Sequence, residues 1–262
     1  MNNFNQKIKK ICIEKNNRLC LGLDVDNKNL KNTSLQYMQD FIFDIIDTTI
    51  DLCPIYKINF SFYERYGAEG YKILENISKK IDKRAISIAD AKRGDIGNSS
   101  KYYAESIFEH LNYDSITVSP YMGEDSLLPF VKYDKGVFIL CLTSNKGSNN
   151  LQKLNTENNL EIYKHVIQMA TKLNKKNNIG LVVGATNEKY LEEIKSLSQD
   201  LPWLMPGVGF QGGNLNKSIQ FGEKQGLSIV NVSRGILNYG SGTIEDIRIA
   251  TEDYTNKIRE IL

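Results

Sequence analysis

AISIADAKRGDIGNSSKYYAESIFEHLN, residues 85–112, holds in one run the unit from which the fold is read. Its first eight residues, AISIADAK (85–92), are short, apolar and strand-like. Its last fifteen, NSSKYYAESIFEHLN (98–112), have the spacing of an amphipathic helix. Between them stand Asp90, Lys92 and Asp95, two carboxylates and an ammonium within six residues. Charges gathered at the end of an apolar strand cost solvation energy unless they are paired or used.

The unit repeats along the chain. Strand-like runs are expected at LCLGLDV (19–25), IYKINF (55–60), AISIADAK (85–92), SITVSP (115–120), GVFILCLTS (136–144), IGLVVGA (179–185), WLMPGVG (203–209) and SIVNVSR (228–234). Amphipathic segments lie between them. In LQYMQDFIFDIIDTTIDLC (35–53), Tyr37, Phe41, Ile45 and Ile46 recur at helical spacing. Eight strand–helix units without an intervening linker predict one closed parallel (β/α)8 barrel, a TIM barrel, as a single domain over residues 1–262. The alternative is an open doubly wound sheet. Its dinucleotide-binding version is weakened because no GxGxxG follows the first strand.

Composition narrows the function. The 262 residues carry 33 basic and 31 acidic side chains, a net charge of +2, with no long run of like charge, so neither nucleic acid nor a membrane is expected as a partner. The apolar runs are too short to span a bilayer, and MNNFNQKIKKICIEKNN (1–17) lacks the apolar stretch of a secretory signal. Cys12, Cys20, Cys53 and Cys141 sit in apolar surroundings without CxxC spacing, which predicts buried reduced thiols and a cytoplasmic location. His110 and His165, the two histidines, fall within expected helices and are assigned to packing. No His, Cys and carboxylate cluster has metal-ligand spacing, and no GxSxG or Cys–His pattern suggests a covalent intermediate. The Asn-rich stretch NKGSNNLQKLNTENN (145–159) is read as a loop.

The polar residues fall in one place. Asp24, Lys57, Asp90, Ser144, Gln211 and Arg234 lie at or just past the C-terminal ends of expected strands, the end of a barrel that carries the active site. Taken alone, Asp90-x-Lys92-x-x-Asp95 reads equally well as a surface salt bridge at a strand–helix junction. Strand alternation puts Asp90 and Lys92 on one face, and Asp24 and Lys57 add two more charges to the same mouth. Four charges of alternating sign are hard to explain by surface solvation. The Gly-rich MPGVGFQGGNLNKS (205–218) and the NVSRGI (231–236) that ends the last strand are candidate phosphate ligands, with Arg234 supplying a bidentate fork.

These motifs together resemble the orotidine 5′-phosphate decarboxylase family. GLDVD (22–26), YKINFSFYE (56–64), DAKRGDIGNS (90–99), LTSNKG (142–147), PGVGFQGG (206–213) and VNVSRGI (230–236) occur in the family's order and span nearly the whole chain. The chain is most similar to the longer, monofunctional form. The resemblance implies a homodimeric barrel that converts orotidine 5′-monophosphate to UMP and CO2 without metal or cofactor. It implies Lys92 as proton donor to C6, Asp90 beside the substrate carboxylate, and Lys57 with Asp24 completing the charge network at the ribose. Asp95, with Ile96 and Ser99, would be contributed across the dimer interface. Ser99 stands where many members have threonine and keeps the hydroxyl. Ser144 would read the pyrimidine edge, Gln211 and Arg234 would hold the phosphate, and Pro206 and Ser233 would line the substrate site. Sugar-phosphate relatives of hexulose-phosphate synthase or gulonate-phosphate decarboxylase type share DxKxxD but use Mg2+. They place an acidic residue where this chain has Lys57, whose charge would repel the ion.

Overall fold

Parallel pairing runs without a gap around eight strands and returns to the first. The computed structural model describes residues 3–198, 200–209, 212–223 and 226–262. Its strands are β1 (Leu19–Gly22), β2 (Ile55–Asn59), β3 (Ile86–Arg93), β4 (Ser115–Val118), β5 (Gly136–Leu142), β6 (Ile179–Val183), β7 (Trp203–Pro206) and β8 (Ser228–Val232). They close in sequence order, β8 pairing with β1 through Leu19↔Val230, Cys20↔Asn231 and Leu21↔Val232. The expected closed barrel is therefore the observed one, and the open sheet is excluded by the β1–β8 pairing.

All eight expected strands are present, several shorter at their C-terminal ends. β1 stops at Gly22, β5 at Leu142 and β7 at Pro206, because the chain leaves the ladder there to build the loops of the mouth. The helix expected over 35–53 ends at Thr49. The one expected over 98–112 is an α-helix, Gly97–Glu105, followed by a wider π turn, Ser106–His110.

Two apolar layers result from the alternation of side chains along each strand. One set faces the surrounding helices, where Ile42, Ile45 and Ile46 of the helix Leu35–Thr49 join Leu21, Tyr56 and Ile58 in a fully buried cluster. The other set fills the barrel: Cys20, Ile55, Ile86, Ile88, Phe138, Val182, Leu204 and Ile229. This interior is continuous with Phe4, Ile8 and Cys12 of the helix Phe4–Glu14, which thus closes the N-terminal end of the barrel. Phe4 meets Phe138 edge-on, with ring centroids 6.2 Å apart. Gly136 makes room for it, since a Cβ there would lie 2.2 Å from the Phe4 ring. Among the described residues, the open cavity lies at the C-terminal end of the barrel.

The cysteines are free and buried, as expected, and burial pushes the Cys12 and Cys53 thiols up to about 12. His110 is exposed in the π turn, and His165 shares a 3.1 Å hydrogen bond with Thr156. Among the described residues no helix is long and apolar enough to cross a membrane.

Because Ile8 is fully buried in the plug, Ile8→Ala is expected to lower unfolding stability by about 3 kcal/mol. Its effect should appear in urea melts and not in the turnover of the folded protein. A loss under about 1 kcal/mol would mean that the helix Phe4–Glu14 does not seal the barrel.

Candidate active site

The inward-facing residues change character along the barrel axis. On β2 they run Ile55, Lys57, Asn59, and on β3 Ile86, Ile88, Asp90, so the apolar filling gives way to charge one layer below the open end. The register pairs Lys57 with Ile88 and Asn59 with Asp90. A cavity of about 960 Å³ opens above this layer. Its floor includes Leu140, Val182 and Leu204 from β5, β6 and β7.

Four charges form one chain of contacts. Asp24 Oδ1 lies 3.5 Å from Lys57 Nζ, and Lys57 donates to Asp90 Oδ2 at 3.0 Å. Lys92 Nζ donates to the other oxygen, Asp90 Oδ1, at 2.6 Å. Asp24 is held in turn by the Asn59 amide, whose N–H donates to Oδ1 at 3.3 Å. Lys57 and Asp90 are buried, whereas the Lys92 side chain is 49% exposed and faces the cavity.

Burial by itself would pull the Lys57 ammonium down, but the Asp24 and Asp90 carboxylates outweigh it and hold its pKa above the ordinary lysine range. Burial likewise opposes ionisation of Asp90. The ammoniums of Lys57 and Lys92 reverse that effect and hold the carboxyl far below the usual range. In each group the opposite charges favour the ionised form against burial.

Lys92 reaches Asp90 by an irregular backbone. The β3–β4 register shifts between Ala89 and Arg93, and Lys92 adopts a left-handed φ of 47°. Alternation along a regular strand is thus not what brings the two side chains together. A non-glycine residue in this region is strained and persists only where its surroundings hold it. Here the Lys92 N–H donates to Thr117 Oγ1 at 3.0 Å, and the Thr117 hydroxyl lies 3.0 Å from Asp90 Oδ1. Thr117 is absent from the residues expected from sequence. The available signal was the run Ser115, Thr117, Ser119, polar at every second position of SITVSP.

Ser144, Pro206, Ser233 and Arg234 line the same cavity as Asp24, Lys57, Asp90 and Lys92. Gly184 lets Ser144 approach, because a Cβ on it would lie 2.6 Å from the Ser144 amide nitrogen. The Asn-rich segment is tied to this corner. Gln152 Oε1 accepts from the Thr143 N–H at 2.8 Å, its Nε2 donates to the Thr143 hydroxyl at 2.9 Å, and Asn155 bridges back to Glu161.

Asp95, Ile96 and Ser99 stand apart from this cavity. Asp95 Oδ1 accepts from the Ile96 N–H at 2.8 Å, and among the described residues it forms no ion pair. Ile96 is 51% exposed, and the apolar side chains of Tyr102, Tyr121 and Met122 are also exposed on the surface. Gln211 lies outside the described residues. Among the described residues no three carboxylate, imidazole or thiol groups are grouped so as to hold a metal ion.

Residues 17–243 match the family model described as orotidine 5′-phosphate decarboxylase / HUMPS. The chain belongs to this family. An orotidine 5′-phosphate decarboxylase of Dehalococcoides mccartyi is 45% identical over 246 residues, 92% of this chain and 90% of that protein. One from Flavobacterium johnsoniae is 40% identical over 265 residues, 97% of this chain and 93% of that protein. Among solved structures, the Leishmania donovani OMP decarboxylase superposes with a TM-score of 0.83 at 35% identity, covering 97% of this chain and 98% of that one.

Removing the Asp90 charge tests the network energetically. Asp90→Asn removes the carboxylate that two ammoniums share, one of them buried, and should cost about 3 kcal/mol at neutral pH. A depressed carboxylate contributes its stability above its ordinary pKa of 3.8 and loses it as the pH falls through the folded value. The gap between wild type and Asp90→Asn in urea melts should therefore narrow only below that pH. Equal stability of the two at neutral pH would show that the pairs contribute nothing net.

Proposed function

We infer that the charged cavity decarboxylates orotidine 5′-monophosphate to UMP and CO2, the last step of de novo pyrimidine nucleotide synthesis, as a carboxy-lyase without a cofactor. The observation that carries this reading is the unbroken contact chain Asp24–Lys57–Asp90–Lys92 at the mouth of a barrel. The relatives named above are orotidine 5′-phosphate decarboxylases across nearly their full length.

Breaking the bond from C6 to the carboxylate leaves its electron pair on an sp2 carbon with no conjugated acceptor. The barrier reduction required is on the order of 20 kcal/mol. An ammonium already fixed where that charge develops lowers the barrier without reorganising. We assign this role to Lys92, which then transfers a proton from Nζ to C6 and recovers one from solvent. Asp90 keeps Lys92 in place, beside the departing carboxylate. Lys57 and Asp24 support Asp90 and meet the ribose hydroxyls. Ser144 is read as facing the pyrimidine edge, with Pro206 and Ser233 along the ligand. Gln211 and Arg234 are assigned to the phosphate. Grip on that remote group provides binding energy for the chemistry at C6.

The Mg-dependent sugar-phosphate reaction is the second reading, since the family model spans both branches. The Lys57 ammonium argues against it by standing 3.5 and 3.0 Å from the two carboxylates that a hard cation would need. The barrel is read as one catalytic domain over residues 1–262, acting in a reducing cytoplasm that suits its four free thiols. We further read the protein as a homodimer. The exposed Ile96, and an Asp95 that forms no ion pair among the described residues, suit a role for Asp95, Ile96 and Ser99 in the partner's site.

Purified protein should deplete orotidylate absorbance and form UMP, with the same rate in EDTA. Loss of activity in EDTA and its return with Mg2+ would favour the sugar-phosphate reading. Lys92→Ala should lower kcat by about 10³-fold or more while UMP binding persists. Retention of most of the wild-type kcat would remove Lys92 from the role of proton donor.

The shared site has its own test. Lys92→Ala and Asp95→Ala homodimers should each be nearly inactive. Mixing equal amounts makes half the dimers heterodimeric, each with one intact site, so activity should recover to about a quarter of the wild-type value. No recovery with heterodimers demonstrably present would place Asp95 in its own chain's site.

A further inference from the structure

We propose that Thr117 is a positioning residue for the decarboxylation, its single hydroxyl setting both the Asp90 carboxylate and the backbone from which Lys92 projects. The proposal rests on the function inferred above. β4 carries Thr117 alongside β3, where the pairing Ala89↔Ile116 slips to Arg93↔Val118. The slip takes Lys92 out of the regular ladder. Its N–H donates instead to Thr117 Oγ1, 3.0 Å away, across the strand boundary.

The proton inventory at that oxygen is fixed. A hydroxyl has one hydrogen, and toward the Lys92 N–H it can only accept. Its own hydrogen is therefore free for Asp90 Oδ1 at 3.0 Å, the oxygen that also receives Lys92 Nζ at 2.6 Å. Asp90 Oδ1 then has two donors and Oδ2 has Lys57, so the plane of the carboxylate cannot turn without breaking a bond. The same hydroxyl anchors the left-handed residue whose side chain closes the loop, Lys92 N–H to Thr117 to Asp90 to Lys92 Nζ. Thr117 is 1% exposed, in the wall of the cavity. The arrangement fixes both ends of the Lys92 side chain, its backbone and its ammonium, from one atom.

Removing the hydroxyl should misplace the ammonium while leaving the phosphate and ribose contacts untouched. Thr117→Val keeps the shape and deletes the hydrogen bonds. It is expected to lower kcat on orotidylate by about 30-fold, with KM and UMP affinity within about threefold of wild type. Thr117→Ser, which keeps the hydroxyl, should restore kcat to within about threefold, whereas Thr117→Ala should not. The wild-type enzyme is assayed in parallel. If it does not decarboxylate orotidylate, the function inferred above fails, whatever the variants do. Given an active wild type, a Thr117→Val kcat near normal overturns the proposal. So does a fall in kcat matched by an equal fall in UMP affinity, which would mark general damage to the cavity. Thermal melts identify a variant that does not fold. In that case the Ser and Ala variants decide, because equal kcat in those two would show that the hydroxyl has no role.

Discussion

One carboxylate holds the open end of this barrel together. Asp90 is buried, ionised and in contact with two ammoniums, and each partner comes from a separate point on the sheet: Lys57 from β2, Lys92 from the irregular end of β3, Thr117 from β4. A buried ion of this kind is costly in isolation and is retained only with its bonds complete. The left-handed φ at Lys92 and the register slip beside it accompany these bonds. The apolar residues below, Ile55, Ile86 and Ile88, supply the dry floor that makes each of these contacts strong.

The architecture was legible in the sequence because every strand is buried on both faces. Such strands read as short apolar runs, and eight of them punctuated by amphipathic segments leave few topologies open. The plug was legible in principle, since Phe4, Ile8 and Cys12 recur at intervals of four. What the pattern could not give was where each strand stops. In LCLGLDV, GVFILCLTS and WLMPGVG the small and apolar residues continue past the last ladder bond, because the residues that line a ligand cavity are drawn from the same alphabet as those that line a core.

The site divides in a similar way. Asp24, Lys57, Asp90 and Lys92 were found as charges at strand ends, a placement that the packing of a barrel does not otherwise tolerate. Alternation gave the right neighbours at Asp90 and Lys92 for an incomplete reason, because no periodicity encodes a positive φ at a lysine. Thr117 was passed over because a hydroxyl in a strand has no necessary task, and its meaning comes from the atoms on either side. The floor residues Leu140, Val182 and Leu204 look like any other barrel filling until the open space above them is seen.

The pairing of β8 with β1 has a bearing on synthesis. Asp24, Lys57, Asp90, Lys92 and Thr117 lie within the first 117 positions, while Ser233 and Arg234 arrive after the eighth strand. A ribosome therefore delivers the charge-bearing half of the mouth long before the half assigned to the phosphate. Until Val230 lies beside Leu19, the first strand is an exposed sheet edge, and the ring has no inside. Contacts of such wide sequence separation form late and slowly. The nascent chain thus carries its most expensive ionic cluster through a stage at which nothing encloses it.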